Sequence, residues 1–183
     1  MSATTNQSVS LYEGSVFKLL RENITMDNGV TVDLDIIRHP GASAIVPILK
    51  GDTLLMIKQY RHSVGDFIWE IPAGTRESKE TYLECARREL IEETGYSAGA
   101  WQKLLEITPL PGYSDERIHI FLATGLTPAA QKLDADEVLN VHEMALPDAI
   151  EMIRRGDVQD GKTISGIFMA NFWIKDKEEE QRR

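Results

Sequence analysis

Cysteine and long apolar runs are both scarce in this sequence, and each scarcity excludes a class of protein. Its only cysteine, Cys85, cannot form an internal disulfide, which excludes a disulfide-stapled fold and favours a reducing compartment. The longest apolar run, residues 42–49, contains Ser43 and Pro47. It is far shorter than the roughly 20 residues of a membrane helix. We therefore expect a cytoplasmic, globular protein with no membrane segment.

Positive charge is the third scarcity. The chain has 20 Lys and Arg residues against 29 Asp and Glu residues, which gives a net charge of -9. This balance disfavours the electrostatic grip that proteins use on nucleic acid backbones, so we expect no nucleic-acid partner. A small phosphorylated substrate is compatible with such a surface only if metal ions offset the repulsion between the acidic protein and the phosphate.

Turn signals divide the chain into short segments. Asp27-Asn28-Gly29 predicts a hairpin turn, Gly51-Asp52 predicts a second one, and the small polar residues 1–8 predict a frayed terminus. The predicted strands cover residues 16–24, 30–37, 44–49, 53–59, 67–71, 103–108, 118–123 and 138–144. The predicted helices cover residues 80–94, 147–155 and 162–175.

The first of these helices carries the strongest chemical signal. At 100° per residue, Glu89, Glu92 and Glu93 lie within about 100° of one another around the helix axis. The adjoining apolar stripe, which predicts the face that packs on a sheet, consists of Leu83, Ala86 and Leu90. Three neighbouring carboxylates repel one another unless a hard divalent cation lies among them, and oxygen ligands suit Mg²⁺ or Mn²⁺.

The residues around this helix support the same interpretation. Glu80 precedes Arg88 by eight residues, which favours an ion pair that steadies the loop before the helix. Gly74 is predicted to let that loop turn back sharply, so that the Ala73 carbonyl becomes a further ligand, and Gly95 is predicted to end the helix.

These residues together resemble the signature of the Nudix hydrolases. Gly74, Glu80 and the run RELIEETGY over residues 88–96 fill every fixed position, with Tyr96 where an aliphatic residue is usual. The resemblance implies an α+β fold, the Nudix α/β/α sandwich with a mixed β-sheet, and hydrolysis of a nucleoside diphosphate linked to another moiety. It also implies a Mg²⁺ site, with Mn²⁺ as a substitute, whose ligands are Ala73, Glu89 and Glu93, with Glu92 close by.

Outside the signature the chain resembles the ADP-ribose pyrophosphatase branch of that family. The segments Gln59-Tyr60-Arg61 and 69–74 (WEIPAG) are similar to those that lead into the signature in that branch, and Pro111 follows Gly95 by sixteen residues. The resemblance implies an N-terminal antiparallel β-extension, residues 1–43, before a Nudix domain, residues 44–183. It further implies a homodimer formed through the extension.

The resemblance also implies which residues bind a nucleotide-sugar substrate. Arg61 would hold the diphosphate, because a guanidinium can meet two phosphate oxygens at once. Trp69 would stack on a base or, alternatively, pack in the core. The other substrate-binding candidates are Glu70 and, in the loop expected beside the distal sugar, Pro111, Gly112, Ser114 and Glu116.

The general base of this branch lies after the signature, on a loop. The acidic run 133–137 occupies that position, and Glu137, just before a predicted strand, is the candidate. Asp136, Asp134 and the signature residue Glu92 remain alternatives.

Three functions are compatible with these residues. The first is Mg²⁺-dependent hydrolysis of ADP-ribose to AMP and ribose 5-phosphate. The second is the same reaction on GDP-mannose or another nucleoside diphosphate hexose. The third belongs to another class, a catalytically silent Nudix-like regulator that senses a nucleotide.

Overall fold

The structure is a computed structural model that describes residues 3–133, 135 and 137–182. The chain divides into two compact units. The first is Met1–Gly41 with Thr108–Arg117, and the second is Ala42–Ile107 with Ile118–Arg183. Within the described ranges, no helix has both the length and the apolar character needed to cross a membrane.

The first unit contains a three-stranded antiparallel sheet. Its strands are β1 (Ala3–Glu13), β2 (Lys18–Met26) and β3 (Thr31–Arg38), in that spatial order. The predicted hairpin is confirmed, since β2 pairs with β3 and the turn between them contains Gly29 with a φ of 81°. The predicted antiparallel extension at the N-terminus is therefore present.

The prediction of a frayed N-terminus was wrong. Strand β1 begins at Ala3, which pairs with Met26 of β2. The Asn6 amide adds hydrogen bonds to the Asn23 and Thr25 side chains, 2.9 and 2.8 Å long. A strand whose residues are all exposed is held by backbone pairing rather than by apolar burial, so its polar composition gave no sign of it.

The second unit is built on a mixed sheet. Its strands are β4 (Ala42–Lys50), β5 (Thr53–Arg61), β6 (Asp66–Glu70), β7 (Ala73–Thr75), β8 (Tyr96–Ile107), β9 (Ile118–Pro128) and β10 (Leu139–Ala145). The spatial order is β10-β5-β4-β9-β8, with β6 paired to β5 and β7 paired to β4. Strands β4 and β9 run parallel and the other pairs are antiparallel.

Helices cover both faces of this sheet. They are α1 (Tyr82–Thr94), α2 (Leu146–Arg155) and α3 (Gly161–Arg182). One core joins Ala86 and Leu90 of α1 to Ile45 and Phe121, and the predicted stripe residue Leu83 packs against it. Neighbouring residues of the same strands point the other way, into a core shared with α2 and α3. The α/β/α sandwich with a mixed sheet is thus confirmed.

The ends of α1 are set by local chemistry. Thr81 and Glu84 form a capping box, in which each side chain accepts a hydrogen bond from the other residue's backbone N–H. Gly95 ends the helix in the left-handed conformation, with a φ of 73°, as predicted. Because both ends are fixed, the carboxylates of α1 take defined positions relative to β7.

Candidate functional site

The segment from β7 to the end of α1 is steadied by Arg88. Its guanidinium donates to both Glu80 carboxylate oxygens, at 2.6 and 3.1 Å, and to the Thr75 carbonyl, at 3.2 Å. The hydrogen bond from Arg88 also lowers the pKa of Glu80. The predicted ion pair between Glu80 and Arg88 is therefore confirmed, and it ties the loop after β7 to the middle of the helix.

Two of the three predicted carboxylates on α1 are buried. Glu89 lies beside Gly74, and the side chain of Glu93 is 0% exposed. One Glu93 oxygen, Oε2, accepts a hydrogen bond of 2.8 Å from the Ala73 backbone N–H. The other, Oε1, is buried with no hydrogen-bond partner among the described residues. A buried carboxylate oxygen in this condition is costly, so it favours a ligand that supplies positive charge.

Burial shifts the protonation of both carboxyls. It raises the pKa of Glu89 to about 7, against the opposing effect of the neighbouring Arg88 charge. Burial, together with the charge of Glu89, also raises the pKa of Glu93 well above its usual range. Two buried carboxyls that resist ionisation side by side are typical of a site that a cation completes.

Gly74 makes room for one of these carboxylates. Any Cβ at this position would overlap the Glu89 carboxyl group. The prediction that Gly74 serves a sharp backbone turn was wrong, because the residue lies in the extended strand β7 and is not among the glycines with positive φ. The glycine is required here for close approach rather than for backbone freedom.

Arg88 also contacts two of the three predicted carboxylates on α1. Its Nη1 donates to Glu89 at 2.7 Å and to Glu92 at 2.9 Å. Within residues 3–133, 135 and 137–182, no three Asp, Glu, His or Cys side chains are arranged closely enough to hold a metal ion together. The donor set nevertheless fits a hard divalent cation, because it consists of carboxylates with an unpartnered buried oxygen.

Glu137 lies close to the same carboxylates. Its charge contributes to the raised pKa of both Glu89 and Glu93. The structure thus brings this predicted base residue, which precedes β10, near α1. The two alternative base residues Asp134 and Asp136 lie outside the described part of the chain.

Arg61 belongs to an ion-pair network of the second unit that is centred on a buried carboxylate, that of Glu70. Its Nε and Nη2 donate to the two oxygens of Glu70, at 2.6 and 2.8 Å. The hydrogen bond to Glu70 is the main cause of the raised pKa of Arg61, to which the charge of Glu93 adds. The Glu70 side chain is only 1% exposed, so its carboxylate pairs with Arg61 inside the protein and does not face solvent.

Sequence reasoning missed the far side of this network. Lys162, in the first turn of α3, forms an ion pair with Glu70 and another, 3.0 Å long, with Asp160. Asp160 in turn accepts hydrogen bonds from the backbone N–H and the hydroxyl of Thr163. The spacing of Asp160 and Thr163 is a helix-start signal, but nothing in the sequence links it to Glu70.

The other substrate-binding candidates fall in two places. Trp69 is half-buried, packs against the core shared with α2 and α3, and meets the His142 ring edge-on at a centroid distance of 4.8 Å. The four loop residues belong to the first unit, where Ser114 bridges to Ile37 of β3 and Glu116 lies 3.6 Å from His39. These four are Pro111, Gly112, Ser114 and Glu116.

Cys85 is not an accessible nucleophile. It is buried, its thiol donates to the Gly74 carbonyl over 3.5 Å, and burial raises its pKa to about 11. A thiol in this condition is almost wholly protonated at neutral pH, so it acts as a packing residue.

Comparison with known proteins adds family information to this geometry. The family model of the NUDIX domain matches residues 38–165. A solved structure described as an ADP compounds hydrolase superposes with a TM-score of 0.85 at 22% sequence identity, covering 97% of this chain and 96% of that one. At that identity the likeness concerns the fold alone.

Similar sequences include enzymes of two named activities. The chain is 37% identical to the ADP-ribose pyrophosphatase of Bacillus subtilis, over 86% of each chain. It is 36% identical to the methanol dehydrogenase activator of Bacillus methanolicus, over 89% of each chain. It is also 33% identical to the GDP-mannose pyrophosphatase of Escherichia coli, over 80% of this chain and 88% of the relative.

Proposed function

Because the chain belongs to the Nudix family of pyrophosphatase hydrolases, we propose that it cleaves the diphosphate of a nucleoside diphosphate sugar, with ADP-ribose as the preferred substrate. The observation that carries this proposal is the pair of buried carboxylates on α1, one against Gly74 and one with an unpartnered oxygen. Hydrolysis of ADP-ribose at the diphosphate would give AMP and ribose 5-phosphate.

A divalent cation, Mg²⁺ with Mn²⁺ as a substitute, would be held by Glu89 and Glu93, with Glu92 and the Ala73 carbonyl as further ligands. When bound, it would supply Lewis-acid neutralisation of the diphosphate charge and make a nearby water more acidic. Arg88 now donates to Glu89 and Glu92, so these two carboxylates would exchange one cationic partner for another. The positive charge of Arg88 beside these carboxylates supports the proposal that they bind a cation.

The remaining roles would be divided among the proposed base, an arginine that binds the diphosphate, and residues that contact the base and the sugar. Glu137 would take the proton of the water that attacks phosphorus, as the P–O bond of the diphosphate breaks and the leaving phosphate departs. Arg61 would bind the diphosphate oxygens through the guanidinium edge that does not face Glu70. Trp69 and the loop residues Pro111, Gly112, Ser114 and Glu116 would contact the base and the distal sugar.

A substrate panel tests this function. Purified protein is incubated with ADP-ribose, GDP-mannose and other nucleoside diphosphate hexoses, each with Mg²⁺ and with EDTA. We expect turnover in the samples with Mg²⁺ and none in those with EDTA, and the fastest turnover with ADP-ribose. Faster turnover of GDP-mannose would favour the activity named for the Escherichia coli relative. Binding of ADP-ribose without turnover of any member would instead indicate a nucleotide-sensing regulator.

We further propose that residues 1–43 act as an N-terminal β-domain that pairs two copies of the chain, with residues 44–183 as the hydrolase domain. Strand β1 has an exposed edge, and Val9, Leu11 and Tyr12 on it are each more than two-fifths exposed. Exposed apolar side chains on an edge strand favour pairing with a partner. Sedimentation equilibrium should give twice the chain mass, and a monomer at working concentrations would contradict the dimer.

A further inference from the structure

We propose that Lys162 is a positioning residue for Arg61, acting through Glu70. The inference rests on the proposed function in one respect, namely that Arg61 binds the diphosphate. Lys162 and Arg61 approach the same buried carboxylate from two elements that are distant in sequence, α3 and the end of β5. Lys162 therefore holds the carboxylate that in turn holds Arg61, the residue that would bind the substrate.

Glu70 is the buried carboxylate at the centre of this network. Both of its oxygens are engaged by Arg61, and Oε2 is shared with Lys162. Burial alone would raise the pKa of Glu70, but the two cationic partners more than offset it, so the pKa lies below its usual range. Glu70 is therefore an ionised buried group whose position depends on the cations that pair with it.

Lys162 is held between two carboxylates. Its side chain is only 13% exposed, and its ammonium group is shared between Glu70 and Asp160. Asp160 is fixed by Thr163, and the Thr163 hydroxyl accepts a 2.9 Å hydrogen bond from the Ile71 backbone N–H. The start of α3 is thus joined to the residue that follows β6, and Lys162 is held where it can anchor Glu70.

The guanidinium of Arg61 is held along one edge. The edge formed by Nε and Nη2 faces Glu70, at 2.6 and 2.8 Å from its two carboxylate oxygens. Because a guanidinium is planar and rigid, fixing one edge fixes the direction of the other. Ala73, three residues after Glu70, donates its backbone N–H to Glu93, which joins this segment to the carboxylates of α1. The charge of Glu93 also contributes to the raised pKa of Arg61.

Charge balance separates this role from simple packing. Arg61 and Lys162 offset Glu70 and Asp160, so the network is neutral overall. Removing the Lys162 charge leaves Glu70 paired with Arg61 but without its anchor on α3. We expect the Arg61–Glu70 pair to persist but to lose its fixed position, which weakens diphosphate binding more than it slows the chemical step.

The test compares Lys162→Met with Lys162→Arg, and uses Lys177→Met, an exposed lysine on the same helix, as the matched control. Calorimetry measures the Kd of α,β-methylene ADP-ribose with Mg²⁺, which does not require turnover. We expect Lys162→Met to raise the Kd, and the KM for ADP-ribose, about tenfold with kcat changed less than twofold. Lys162→Arg should restore most of the affinity, and Lys177→Met should match the wild type. Should circular dichroism show Lys162→Met unfolded, Lys162→Gln replaces it.

A double-mutant cycle with Arg61→Met distinguishes positioning from a purely structural role. If Lys162 acts through Arg61, Lys162→Met should add almost nothing in the Arg61→Met background. Equal losses of affinity in both backgrounds, or an unchanged Kd in Lys162→Met, would overturn the inference while wild-type turnover upholds the proposed function. Wild-type binding without turnover, with the expected effect of Lys162→Met, would overturn the proposed function alone. Absence of wild-type binding would overturn both.

Discussion

Replacing Glu93 with glutamine should lower kcat/KM for ADP-ribose about a thousandfold, equivalent to roughly 4 kcal/mol of transition-state stabilisation. The side chain keeps its size, and the amide oxygen still accepts the Ala73 hydrogen bond. What is lost is the buried charge that a divalent cation requires. Initial rates over a Mg²⁺ titration measure the effect, and the apparent metal affinity should fall with the rate.

Glu137→Gln provides the contrast within the same experiment. Because Glu137 is the proposed base, replacing it should lower kcat about a hundredfold. The Mg²⁺ concentration for half-maximal rate should stay near that of the wild type. Glu151→Gln, an exposed change on α2, is the control and should behave as wild type. A Glu93→Gln enzyme with wild-type rates would contradict the metal site, and full activity in Glu137→Gln would move the base to another residue.

Gly74→Ala should be nearly as damaging, with a fall in kcat/KM of about a hundredfold or more. A Cβ at this position overlaps the carboxylate of Glu89, and the carboxylate is the part of that contact that can move. The side chain would rotate out of its place beside β7, so that catalysis suffers far more than folding does. Steady-state kinetics and thermal denaturation of the same preparation measure the two effects.

Gly99→Ala is the matched control for this substitution. Gly99 also lies in a strand of the second unit, but a Cβ there would meet only the Gly125 carbonyl, at an ordinary distance of 3.5 Å. We expect near wild-type activity from it. Wild-type kinetics in Gly74→Ala would show that the placement of Glu89 against β7 does not matter for the reaction.

Local patterns in the sequence predicted most of the second unit. The apolar spacing of α1, its stop at Gly95 and the Glu80–Arg88 pair are all encoded within a few helical turns. The mixed sheet and the two helical layers followed from the resemblance to the Nudix hydrolases, which the family match supports.

The features that the sequence did not predict depend on contacts between distant residues. Strand β1 exists because β2 offers it a backbone ladder, not because of its own composition. The partnership of Glu70 and Lys162 joins residues 92 positions apart, and no local pattern predicts a contact at that separation. The close approach of Glu89 to Gly74 likewise appears only when β7 and α1 are packed together.

The identity of the products tests the proposed hydrolysis of the diphosphate most directly. ADP-ribose incubated with the wild-type protein and Mg²⁺ is followed by ³¹P NMR. We expect the diphosphate signals to disappear and two phosphomonoester signals, those of AMP and ribose 5-phosphate, to replace them in equal amounts. Persistence of the diphosphate signals, or release of ribose with ADP intact, would contradict the proposed hydrolysis.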